Sequence, residues 1–124
     1  MKSTVAGVVL AVVILGLAFY DVRRSGPTVF RGEVMDSRCA EMGSHEAVMK
    51  MQGFQTPLQC ALFCAHYANP TSVWVLYDPE GKKTYQLSDQ GKVQPFAAEK
   101  VTISGSYDDA SKTILVTAIT AVAP

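Results

Sequence analysis

The residues best suited to chemistry in this 124-residue chain are its three cysteines and two histidines. Cys60 and Cys64 stand four positions apart, which on a helix places them on one face with Cβ atoms about 5–6 Å apart. A disulfide needs Cβ atoms roughly 3.5–4.5 Å apart, so these two are poorly placed to bond each other. Each either reaches a different partner or shares a metal ion with the other. Only Cys39 remains as a further cysteine, so at most one disulfide can form within the chain.

The first interpretation is a metal site. Cys39, His45, Cys60 and Cys64 fall within one segment of 26 residues, and four such ligands complete the tetrahedron that zinc prefers. Zinc is the expected ion, ahead of iron or copper. Three methionines flank His45 and could favour copper, although such side chains are more often core or contact residues: Met42, Met49 and Met51.

The second interpretation is a disulfide from Cys39 to either Cys60 or Cys64, with one thiol left over. Closing a loop of this length contributes about 3 kcal/mol in the chain-entropy model. Covalent haem is not expected, because Cys64 and His66 do not complete the C-x-x-C-H pattern that attachment requires. The residues alone leave three possibilities open: the metal site, the disulfide, and buried thiols that bind nothing.

A short helix must position the cysteine pair. Thr56 is a good N-cap, and Pro57 suits the first helical position because its missing N–H would be unpaired there. The helix lies in a long insert, residues 37–70, that contains all three cysteines and both histidines.

Five strands frame this insert. Alternating or β-branched stretches predict strands at 29–36, 72–78, 83–87, 100–107 and 113–122, with Gly105 as a bulge or bend. A second short helix is predicted at 95–99, between strands three and four. The pattern predicts a mainly β fold, a five-stranded OB-like Greek-key barrel with a helix-containing insert between strands one and two.

Four motifs carry a resemblance to the exported OB-fold-like domains of bacteria, a family largely of unknown role. They are GEVMDSRC at 32–39, the C-x3-C pair, YQLSDQ at 85–90, and the segment 96–105 ending in VTISG. The resemblance covers roughly residues 29–122. It implies an OB-like architecture and a location outside the cytoplasm, and it implies no reaction.

The N-terminus predicts a membrane anchor. Residues 5–20 carry no charge, and a helix over this stretch nearly spans a bilayer core. We expect a single-pass transmembrane anchor at 1–24, not a cleaved signal peptide, followed by a linker at 25–28 and the OB-like domain at 29–124. Small residues on the helix would allow close packing against other membrane helices: Gly7, Ala11, Gly16 and Ala18.

The charge pattern narrows the function. Eight basic and ten acidic residues follow position 24, with no basic run, which argues against nucleic acid as a partner. No catalytic triad, phosphate-binding glycine loop or paired carboxylates can be placed, so an enzyme is not expected.

These observations favour a non-catalytic accessory subunit of a larger membrane complex, in which electron transfer or energy conversion would be natural activities. Its partners would be integral membrane subunits and the lipid bilayer, with the domain on the periplasmic side of the inner membrane. The alternative is a metal- or redox-binding module that uses the Cys3His set. A weaker third possibility is an OB domain that binds a peptide or a saccharide.

Overall fold

Five strands close into a barrel in the computed structural model, which describes residues 27–68 and 72–124. Around the barrel the strand order is β1-β2-β3-β5-β4, and β4 returns to β1. The strand bounds are β1 Thr28–Asp36, β2 Trp74–Asp78, β3 Lys83–Leu87, β4 Lys100–Asp108 and β5 Thr113–Ala121.

The sheet is mixed. Every neighbouring pair is antiparallel except β3 and β5, which run parallel with Leu87 opposite Ile114. A closed five-stranded barrel of this kind is consistent with an OB-like fold. All five predicted strands are confirmed, with bounds that differ by at most two residues.

The barrel interior is built from the inward-facing residues of every strand. Val34, Leu76, Val101, Ile103 and Ile114 are fully buried there. Successive strand side chains point to opposite faces, so each strand contributes alternate residues to this core. Burying each such side chain contributes about 1.5–3 kcal/mol. The cluster contains no cysteine.

One glycine in β4 allows a close approach to β5. The pairing register of β4 and β5 shifts between Ser104 and Gly105, which confirms the predicted bulge. A Cβ atom at Gly105 would overlap the backbone carbonyl oxygen of Leu115, so only glycine permits this approach.

The insert between β1 and β2 contains three short helices, where one was predicted. They are α1 Ser37–Met42, α2 Glu46–Gln52 and α3 Pro57–Phe63, and α3 continues into a π-helical turn at Cys64–Ala68. The predicted start of α3 is confirmed, since Thr56 and Gln59 form a complete capping box. Both α1 and α2 end at glycines with left-handed backbone, Gly43 and Gly53.

The predicted helix at 95–99 was wrong in position. The structure has α4 at Gln90–Val93, followed by a 3-10 turn at Gln94–Phe96. The helix starts earlier because the Asp89 carboxylate accepts a hydrogen bond from the backbone N–H of Lys92 and caps it.

The predicted anchor at 1–24 and the first half of the linker, residues 25–26, lie outside the described residues, as do the four small residues expected to pack in the membrane. Within 27–68 and 72–124, none of the helices has the length and apolar character needed to span a bilayer.

Candidate metal centre

Asp36 positions the first cysteine. It is the last residue of β1 and the N-cap of α1, where its Oδ1 accepts hydrogen bonds from the backbone N–H groups of Arg38 at 3.1 Å and Cys39 at 3.0 Å. The cap fixes the direction of α1, and Cys39 is fully buried beneath it. A strand end and a helix start therefore place this thiol at the junction of barrel and insert.

The other two sulfurs come from α3 and its continuation. Cys60 and Cys64 are 0% and 1% exposed, and both face Cys39. The Sγ of Cys39 lies 3.6 Å from that of Cys60 and 3.9 Å from that of Cys64. All three Sγ atoms lie within 4.8 Å of one another, so the three cysteines could hold a metal ion.

All three cysteines are free thiols in this structure. The shortest sulfur separation, 3.6 Å, is far longer than the bond of about 2.05 Å in a disulfide. The disulfide alternative stays a prediction, for an oxidised form of the chain.

His45 lies in the turn between α1 and α2, where its ring is grouped with Cys39 and Asp36 and not with Cys60 or Cys64. It is 5% exposed, and its Nε2 lies 2.8 Å from Oε1 of Glu33. An ionised carboxylate only accepts hydrogen bonds, so Nε2–H donates to Glu33. Nδ1 is buried with no hydrogen-bond partner among the described residues, and in the neutral form of this tautomer it offers a lone pair to a metal ion.

Asp36 supplies a fifth donor atom. Its Oδ2 is also buried without a hydrogen-bond partner in the described part of the chain. Donor atoms of Asp36, Cys39 and His45 lie within 4.8 Å of one another. Cys39 is therefore shared by two overlapping groups of three donors, and each group could hold a metal ion.

Apolar side chains close the site from outside. Val48 and Met49 of α2 and the rings of Phe54 and Phe63 pack against the three cysteines. The two phenylalanine rings lie 5.2 Å apart, centroid to centroid. Such a shell excludes water and lowers the local dielectric constant around the donors.

Burial in this shell raises the pKa of the cysteine thiols. The pKa of Cys39 lies far above its usual range because burial disfavours the thiolate, with further contributions from the neighbouring Asp36 carboxylate and from Cys60. Burial, followed by the charge of Asp36, raises the pKa of Cys64 to about 11. Without a metal ion, both thiols are protonated at neutral pH.

The remaining candidates from the sequence lie elsewhere. His66 is exposed, and so are Met42 and Met51, which removes them from the cysteine cluster. Only Met49 of the three methionines packs against the sulfurs. Trp74 is buried in the barrel core.

The structure adds two residues to the four in the predicted set, Glu33 and Asp36. A signal for Asp36 exists in the sequence, because alternation along β1 places it on the same face as the core residue Val34. Glu33 carries no such signal. Its contact with His45 joins residues twelve apart through the fold of the insert.

An open pocket of about 470 Å³ lies on the outer side of His45. Its lining includes Glu33, Glu46, Met49 and Tyr77. Two residues of the candidate site, His45 and Met49, therefore also line this pocket.

Comparisons with protein-family models, with curated proteins and with solved structures returned no match to this chain.

Proposed function

We propose that this chain is a metal-binding module that holds one zinc ion through Cys39, His45, Cys60 and Cys64. The sulfur separations carry the proposal. In tetrahedral zinc thiolates with Zn–S bonds of about 2.3 Å, neighbouring sulfurs lie about 3.8 Å apart. The observed separations from Cys39, 3.6 and 3.9 Å, are close to that spacing, so the ion needs little rearrangement of these thiols.

His45 is a better fourth ligand than Asp36. Its Nδ1 lone pair has no other partner among the described residues, and its Nε2–H is held by Glu33. Metal-binding histidines almost always donate their second N–H in this way, often to a carboxylate. Asp36 already uses Oδ1 to cap α1, and its charge would take a buried site with three thiolates to a net −2.

A closed four-ligand site of this kind is structural. All four proposed ligands are buried, and no open coordination position is needed for a substrate. The ion would tie α1 and α3 to each other, and would tie the turn before α2 to both. The module therefore stabilises the insert on the barrel, and we propose no reaction at it.

The accessory-subunit prediction remains separate from this proposal. The expected inner-membrane anchor and membrane partners rest on residues outside the described ranges, and the periplasmic location rests in part on the family resemblance; all three stay predictions. A rigid metal-bound insert would suit a domain that covers a partner, but it does not require one.

Metal analysis of the full chain tests the proposal. Protein expressed without a metal-affinity tag should contain one zinc per chain. Exchange for Co²⁺ should give the thiolate-to-cobalt charge-transfer absorption of a tetrahedral sulfur site. A chain whose three thiols are reduced, and which nevertheless takes up neither ion, would refute the zinc site. A mass two hydrogens below that of the reduced chain would indicate the disulfide instead.

Zinc affinity should rise with pH. The raised pKa values keep Cys39 and Cys64 protonated up to at least pH 9, so zinc must displace a proton from each. Apparent affinity then rises about tenfold per pH unit for each proton displaced. Chelator competition at pH 6.5 and 7.5 measures the slope of log affinity against pH. Cys64→Ser should lower this slope by about one, because one proton fewer is displaced. An affinity independent of pH would contradict protonated ligands.

Replacing Glu33 should weaken zinc binding without removing a ligand. Glu33→Gln keeps the side-chain size but takes away the carboxylate that orients His45 and raises its basicity. We expect about a tenfold loss of affinity, at the lower end of the range for such partners. The matched control is Glu46→Gln, which removes the same charge from the same pocket at an exposed position. Equal losses in both variants would show that only the local charge matters.

A further inference from the structure

We infer that the three sulfurs also form a redox-sensitive switch, in which oxidation joins Cys39 to Cys60 as a disulfide and releases the ion. The inference rests on the proposed zinc site and names its regulation. The disulfide and the metal site, which the sequence leaves as alternatives, then become two states of the same residues.

The geometry selects the pair that reacts. Cys60 and Cys64 lie four apart on one continuous helical segment, where their Cβ atoms are about 5–6 Å apart and too far for a disulfide. Cys39 comes from a different helix and contacts both. Its sulfur is nearer to Cys60, at 3.6 Å, than to Cys64, at 3.9 Å. Closing the nearer pair to about 2.05 Å needs a movement of roughly 1.5 Å.

The helix positions make such a movement local. Cys39 lies in the first turn of α1, a helix of six residues capped by Asp36. Cys60 lies in α3, a helix of seven residues that packs on the barrel through Ala61. A shift or rotation of α1 by this amount brings the sulfurs together and leaves the barrel strands in place.

The oxidant is a hydroperoxide, for which hydrogen peroxide is the simplest example. One zinc-bound thiolate attacks the peroxide oxygen, the O–O bond breaks, and the sulfur becomes a sulfenic acid while hydroxide leaves. The second thiolate attacks that sulfur, an S–S bond forms, and a second hydroxide leaves. Two thiolates lose two electrons, the peroxide gains them, and two protons from solvent complete two molecules of water.

Loss of the ion follows from the ligand count. After oxidation only Cys64 and His45 remain of the four proposed ligands. Zinc binds the thiolate form of cysteine, so the two sulfurs of a disulfide are poor ligands. The new covalent bond joins α1 to α3, so the insert stays attached to the barrel when zinc leaves. The output of the switch is therefore release of zinc without release of the insert.

The experiment uses the full chain, reduced and loaded with one equivalent of zinc. Increasing hydrogen peroxide is added, zinc release is followed with a chromogenic chelator, and the products are identified by intact mass and peptide mapping. We expect one zinc released per Cys39–Cys60 disulfide, with a mass loss of two hydrogens. Dithiothreitol followed by zinc should restore the starting state.

Two variants sharpen the result. Cys64→Ser retains both reacting sulfurs and should form the same disulfide, whereas Cys39→Ser should form no intramolecular disulfide. Zinc retained through oxidation, sulfinic acid on single cysteines, dimers between chains, or a dominant Cys39–Cys64 bond would each overturn the switch as stated. Failure of the reduced chain to take up zinc at the loading step would instead refute the site, so the two failures are distinguishable.

Discussion

Removing zinc from the reduced chain should loosen the helical insert and leave the barrel folded. The insert helices are six or seven residues long, and isolated helices shorter than about 12–15 residues are marginal in water. The barrel has its own buried cluster that contains no cysteine. The two parts should therefore depend on the proposed ion to very different degrees.

The three insert helices should lose protection from hydrogen exchange to different extents. Helix α2 has no buried residue of its own, so it should lose most of its protection. Helix α1 keeps Ala40 packed against the barrel side chains Met35 and Val75. Helix α3 keeps Ala61 in the barrel core, so it should lose least.

Amide hydrogen exchange read by mass spectrometry measures this prediction. Residues 46–52 should exchange about a hundredfold faster after chelation, the change expected when a ligand present at about a hundred times its Kd is withdrawn. Peptides from β4 and β5 in the same sample are the internal control and should stay within about threefold. Equal acceleration in barrel and insert would contradict a local role for the ion, and no acceleration anywhere would contradict a structural one.

Particular residues explain which elements of the fold could be predicted from the sequence. The strands were predictable because β-branched residues alternate over runs such as β5, where Ile114 and Val116 face the core. The start of α3 was predictable because Thr56 and Pro57 are local signals. Helices α1 and α2 were missed because six or seven residues hold fewer than two full turns, too few for a helical period to be recognised.

The site was predictable by residue type and not by arrangement. Cysteine and histidine within one insert predicted a candidate ligand set; the structure brings Cys39, Cys60 and Cys64 into one group and places His45 with Cys39 in a second. The roles of Glu33 and Asp36 depend on how the insert folds back over β1. Such contacts are created by tertiary structure, and no local spacing in the sequence encodes them.

Replacing Cys39 should damage zinc binding more than replacing any other ligand. Cys39 is the one sulfur that belongs to both groups of donors, so Cys39→Ser breaks both at once. In Cys64→Ser, by contrast, the carboxylate of Asp36 lies close enough to Cys39 and His45 to complete the coordination. We expect zinc affinity to fall at least about a hundredfold in Cys39→Ser. The fall in Cys64→Ser should be about ten times smaller.

Ala61→Ser is the matched control, because it introduces the same hydroxyl at a fully buried position next to Cys60 without touching a ligand. It should lower the free energy of unfolding by about 1–3 kcal/mol through the buried hydroxyl, yet keep zinc affinity within about threefold. Affinities of all three variants can be measured by competition with a chelator, and their stabilities by urea unfolding of the chelated proteins. If Ala61→Ser lost as much affinity as Cys39→Ser, core disruption would explain both. If Cys64→Ser lost more zinc affinity than Cys39→Ser, Cys39 would not be the shared ligand. Asp36 would then have failed to replace Cys64 as a ligand, although it lies close enough to do so.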